Sequence, residues 1–206
     1  MDLFRPLPSS NHIVVVQDLA SRFPVAKIVK STGAKSVIPV LSDTYNTFGN
    51  PQVQKSDNGP PFNSKEMEAF TRGRDITQVK IPPGHPAANN VETVMKPLGK
   101  AMKIGFNHKA SEQDTLQSFL QTYRDTPHIS TTVSPASMLF RDGYRSNLPW
   151  RGASVDDIKQ ARGVDADGKN RRKEEYNSSR MAKESNFQVG QQVLVRTLHK
   201  NSKYEP

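Results

Sequence analysis

Two runs rich in β-branched residues, HIVVVQD at 12–18 and PVAKIVKST at 24–32, constrain the fold more than any other feature. Valine and isoleucine lose side-chain freedom in a helix and pack well on a pleated surface, so both runs read as strands. Only LASRF separates them, which makes a hairpin the natural connection. A helical pattern follows over 32–49, where Val37, Ile38, Leu41 and Tyr45 recur at steps of three and four and Gly49 closes the run. Pro39 fits that helix only near its start. PQVQKSD at 51–57 reads as a short strand and SKEMEAFTRG at 64–73 as a short helix with a serine cap. DITQVKI at 75–81 returns as a strand.

PPGHPAANN at 82–90 is a loop, because its prolines, glycine and asparagines exclude regular structure. Beyond it Val91, Val94, Met95, Leu98 and Met102 form an apolar helical stripe. A second helix covers 111–127, with Ser111 and Asp114 in the relation of a capping box and Leu116, Phe119, Leu120 and Tyr123 on its buried face. SPASMLF at 134–140 places proline after serine, as a short helix start does. This order predicts an α/β domain over residues 1–150.

Apolar residues make up 34% of the 206 residues, so a core is expected over part of the length only. Residues 151–186 hold few large apolar side chains and the run GKNRRKEE, which suits a linker or a solvated helix. FQVGQQVLVRTLHK at 187–200 alternates like a strand pair, too little to stand alone. Residues 187–206 are therefore expected to be part of an incomplete C-terminal domain.

The formal charge of +9 favours a polyanionic partner, with nucleic acid ahead of a membrane surface. Absence of cysteine excludes disulfides and cysteine-based zinc sites, and the five histidines lack metal-ligand spacing. No apolar run reaches membrane-spanning length and the N-terminus carries no signal-peptide core, so the expectation is a soluble intracellular chain.

Three acids stand out: Asp2 in MDLF, Asp57 in SDNGPPF and Glu92 after HPAANNV. Singly, each has a plain reading. Asp57 suits a turn, Glu92 suits the dipole of a helix start, and Asp2 suits solvent. Together they supply the hard oxygen ligands that Mg²⁺ or Mn²⁺ prefers, and a basic protein that gathers acids beside a nucleic-acid groove needs such ions. Lys96, Lys100 and Lys103 follow Glu92 on one helix stripe, opposite Val94, Leu98 and Met102. They are either a solvated face or phosphate contacts.

Six stretches, in order, resemble the integrases of Gypsy-type LTR retrotransposons. MDLFRPLP resembles the family's opening strand, although Arg5 stands where its Gly-Pro-Leu-Pro turn has glycine. IVVVQDLASRFPVAKIV resembles the next two strands and SDNGPPFNSKEMEAF the second-acid segment. IPPGHPAANNVETVMKPLGKAM resembles the Pro-x-His-Pro-x-x-Asn loop with the glutamate helix. YRDTPHISTTVSPASMLF resembles the end of the core, and FQVGQQVLVRT the start of a small SH3-like β-barrel. The interval from Asp57 to Glu92 is one residue shorter than the family's usual spacing, and Pro97 lies inside the glutamate helix, where proline costs about 3 kcal/mol or bends it. Against the family's order the first half of the opening strand and a zinc-binding N-terminal domain are missing, so the expectation is a fragment of a longer reading frame or a decayed element.

The resemblance implies an RNase H-like core with a mixed five-stranded sheet flanked by helices. It makes Asp2, Asp57 and Glu92 the catalytic and metal-binding residues for two Mg²⁺ or Mn²⁺ ions. It implies DNA end cleavage and strand transfer, with element ends and target DNA as partners, in a nuclear homo-oligomer. Lys96, Lys100 and Lys103, Asn89 and Asn90 in the loop before the glutamate, and Arg171, Arg172 and Lys173 in the basic run are the candidate DNA contacts. Two other readings stay open: a catalytically inactive integrase-derived DNA-binding protein, and an RNase H-like nuclease or transposase, which would lack the FQVGQQVLVRT appendage.

Overall fold

The computed structural model describes residues 1–4, 7–81, 91–140, 153–179, 188 and 190–192. The chain forms two compact units, Met1–Ala166 and Asp167–Pro206. In the first, β1 (Asp2–Phe4), β2 (His12–Gln17) and β3 (Pro24–Val29) make an antiparallel sheet in the order β1-β2-β3. Asp2 lies opposite Val15, and Ile13 opposite Ile28. The β2–β3 turn is closed by Asp18, whose Oδ2 accepts from the Ser21 amide (2.7 Å) and hydroxyl (2.6 Å).

Alternation along β2 sends side chains to two cores. Val14 points to the face covered by α1 (Ala34–Phe48) and α2 (Lys65–Arg72), where it clusters with Val37, Leu41, Tyr45, Met67 and Phe62. Ile13 and Val15 point the other way, to Val94, Leu98 and Met102 of α3 (Glu92–Asn107) and Leu116 and Leu120 of α4 (Glu112–Asp125). Helices thus cover both faces. Each fully buried aliphatic side chain contributes about 1.5–3 kcal/mol relative to exposure.

β4 (Val53–Ser56) and β5 (Thr77–Lys80) pair in parallel as a sheet of their own. The single five-stranded sheet is therefore corrected to two sheets, one of three strands and one of two. The physical reason lies in β1. It is three residues long, and the Met1 amino group beside it donates to the Lys55 carbonyl of β4 (2.7 Å).

Capping follows the residues. Ser64 Oγ accepts from the Met67 amide at α2, and Ser111 Oγ from the Asp114 amide at α4, each at 3.1 Å. Gly49 ends α1 at φ +91°, a conformation that favours glycine. α3 runs unbroken through Pro97.

α5 (Pro135–Phe140) precedes α6 (Val155–Ser179). Ser154 and Asp157 cap α6 reciprocally: the Ser154 amide and hydroxyl donate to Asp157 Oδ2 (both 2.8 Å), and the Asp157 amide donates to Ser154 Oγ (3.1 Å). The stretch read as a linker or solvated helix, 151–186, is packed in its first part. Ile158 and Ala161 are buried with Met138 of α5, and buried Asp165 pairs with Arg22. In the second unit the described side chains of 169–179 are exposed. The strand pair expected within 187–206 lies outside the described residues except for 188 and 190–192.

Candidate functional site

The three acids stand at element boundaries. Asp2 opens β1 and is half-buried. Asp57 is exposed directly after Ser56, the fully buried last residue of β4. Glu92 is the half-buried first residue of α3, and no side chain caps the helix before it.

Local bonds hold the two aspartates. Asp57 Oδ1 accepts from the Gly59 amide (3.3 Å), and the Ser56 hydroxyl donates to the Asp57 carbonyl (3.0 Å). This is the turn chemistry that Asp-Asn-Gly encodes. Asp2 Oδ1 accepts from the Leu3 amide (2.7 Å). Both carboxylates act on the buried Met1 ammonium. Burial lowers its pKa from 8.0 to about 6, and the charges of Asp2 and then Asp57 oppose that fall.

A cavity of about 320 Å³ is lined by Met1, Lys55 and Val91, among others. These are the residues next to Asp2, two before Asp57 and next to Glu92. Nevertheless, among the described residues no three His, Cys, Asp or Glu side chains stand close enough to hold a metal ion. The donor chemistry suits Mg²⁺ or Mn²⁺, but the spacing in this conformation does not gather all three acids around one ion. Lys55 was missed in the sequence. Its place two residues before Asp57 was the only available signal.

Lys96, Lys100 and Lys103 are exposed along α3, on the face away from buried Val94, Leu98 and Met102. Arg171, Arg172 and Lys173 are exposed on α6 in the second unit, where Arg171 stands 3.9 Å from Glu175. Such a surface pair contributes little, so the charge of this run remains available to a polyanion. Asn89 and Asn90 lie outside the described residues.

No protein-family model matches the chain. Over 201 residues, 92% of its length, it is 25% identical to the uncharacterized protein K02A2.6 of Caenorhabditis elegans, and it spans 15% of that protein. Among solved structures it is similar to the simian T-cell lymphotropic virus intasome in complex with PP2A regulatory subunit B56 gamma. That match has a TM-score of 0.60 at 17% identity and covers 75% of this chain and 58% of the other. It is also similar to the catalytic core domain of BIV integrase, with a TM-score of 0.56 at 16% identity, over 68% of this chain and 91% of that one. The α/β fold resembles that of integrase catalytic cores, with the sheet divided in two.

Proposed function

We propose that this chain is the core of a retrotransposon integrase, a metal-dependent polynucleotidyl transferase that cleaves DNA ends and joins them to target DNA. One observation carries the reading. In a fold like that of integrase cores, the three acids sit on β1, after β4 and at the head of α3, and a residue within two positions of each of them lines one cavity. Asp2, Asp57 and Glu92 would hold two Mg²⁺ or Mn²⁺ ions. When bound, such ions neutralise phosphate charge and activate the attacking oxygen.

The chain's own residues bind and orient. Lys96, Lys100 and Lys103 neutralise phosphates beside Glu92, while Arg171, Arg172 and Lys173 add sequence-independent affinity and a signal for nuclear import. Water attacks a phosphodiester near the element end and expels its 3′-oxygen, and the freed 3′-hydroxyl then attacks a target phosphodiester and expels the 3′-oxygen of the target strand. Both are in-line displacements at phosphorus, so one site in a homo-oligomer serves both.

A second reading, an inactive DNA-binding derivative, is favoured by the turn bond on Asp57 and by the lack of a metal-holding trio among the described residues. Joining of a labelled duplex end in Mn²⁺ separates the two. The first reading expects products that Glu92→Gln abolishes while DNA binding holds or tightens. Binding by the unaltered chain without joining favours the second.

A further inference from the structure

At the end of α3 remote from Glu92, the helix carries a surface that the three acids do not use. Gly105 is buried there, and an added Cβ would fall 2.3 Å from Thr115 Oγ1 of α4. With residue 105 turned to α4, its neighbours, one helical step to either side, are turned out. Ile104 is 58% exposed and Phe106 is 60% exposed.

The exposed lysines 96, 100 and 103 run between these two side chains, and exposed Lys109 follows the helix end. From Lys96 to Phe106 the stripe extends about 15 Å. Phe106 also borders a hollow of about 220 Å³, shared with Phe4, Leu7, Lys103 and Thr115. Glu112 borders it too, but its carboxylate is taken up by the Ser9 hydroxyl (2.6 Å) and amide (3.2 Å).

A single exposed apolar residue is ordinary. An aromatic ring standing out of a lysine stripe has a narrower meaning. Lysines alone suffice to grip a duplex, whose bases are stacked on each other. A ring becomes useful where base faces are open, because stacking is tolerant of sequence and adds to the electrostatic grip.

We propose that the lysine stripe of α3 and the residues just past it bind a single DNA strand, with Lys96, Lys100, Lys103 and Lys109 on successive phosphates and Phe106 as the platform for one base. The inference rests on the DNA-joining reading for the identity of the nucleic acid, and it names an unpaired strand as the substrate class at this surface.

Fluorescence anisotropy of the full chain with a labelled oligothymidylate, and separately with a duplex, both without metal, tests it. Phe106→Ala weakens oligothymidylate binding by about fivefold or more and leaves the duplex affinity unchanged. Phe106→Tyr retains binding, whereas Phe106→Leu does not, which separates the ring face from apolar bulk. Lys100→Ala with Lys103→Ala weakens both probes and flattens the single-strand salt slope by about 0.7 per lost contact. Unchanged oligothymidylate affinity in Phe106→Ala, or an equal loss on duplex, overturns the proposal. A change of mass on gel filtration with unchanged affinity assigns the ring to contact with a second copy, and also overturns it. The assay contains no metal and reads no joining, so its failure is distinct from failure of the Glu92→Gln test.

Discussion

Replacing Asp165 by alanine tests how the start of α6 is held. Arg22 Nη2 and Asp165 Oδ1 are 2.7 Å apart, and each side chain is 7% exposed. Removing one partner strands a charge in a medium that solvates it poorly. Breaking a buried pair in this way costs about 3–5 kcal/mol. Arg22 has little in reserve, because its Nε is already buried without a hydrogen-bond partner. The exposed Arg72–Glu68 pair, at 2.6 Å and with side chains 75% and 62% exposed, is the internal control. There Glu68→Ala should cost under about 1 kcal/mol. Denaturant unfolding of the full chain reads both variants. For Asp165→Ala the corresponding fall in melting temperature is about 6–20 °C. The double replacement Arg22→Met with Asp165→Leu should recover most of the loss, since no charge is left stranded. If Asp165→Ala costs no more than Glu68→Ala, the first part of α6 is not part of the core and the reasoning fails.

Three further outcomes are expected. Tyr45→Phe removes the hydroxyl that donates to Gln54 Oε1 (2.6 Å), leaves a buried acceptor unsatisfied and costs about 1–3 kcal/mol in denaturant unfolding. Burial also pushes the Tyr45 phenol well above 10.0, with Arg74 opposing, so its stabilisation is whole below pH 10 and is lost as pH rises beyond it. That alkaline loss should be absent from the phenylalanine variant. Bonds from Ser154 hold Asp157 below its ordinary value of 3.8, so its contribution is present above that pH and is lost as pH falls through the folded value. Titration of the Asp157 carboxyl by NMR should show this depression, and Ser154→Ala should remove it. Gly105→Ala forces a methyl group onto Thr115 and should cost about 1–3 kcal/mol in denaturant unfolding, partly restored by Thr115→Ala.

The elements with local signals were legible. β2 and β3 announced themselves by β-branched runs, and α2 and α4 by the serines that cap them. The sheet division was not legible, because pairing between β1 and β4 depends on how many residues meet there rather than on which residues they are. The packing of α6 escaped notice for another reason. Its inward stripe is Ile158, Ala161 and Asp165, of which one is large and apolar and one is charged. Asp165 is buried because Arg22, 143 residues away, meets it, and no local pattern encodes such a partner. For the candidate site, the elements bearing the three acids were legible. The orientation of their carboxylates was not, since the turn bond to Gly59 and the Leu3 amide draw on the same oxygens that an ion would use.

The central claim is that Asp2, Asp57 and Glu92 form one site for divalent ions, and Mn²⁺ binding to the full chain tests it most directly. Calorimetric titration of the unaltered chain and of Asp2→Asn, Asp57→Asn and Glu92→Gln compares the three acids without requiring catalysis. The account predicts saturable binding by the unaltered chain, weakened by each of the three replacements. Binding that is absent from the unaltered chain, or that survives Glu92→Gln undiminished, contradicts it.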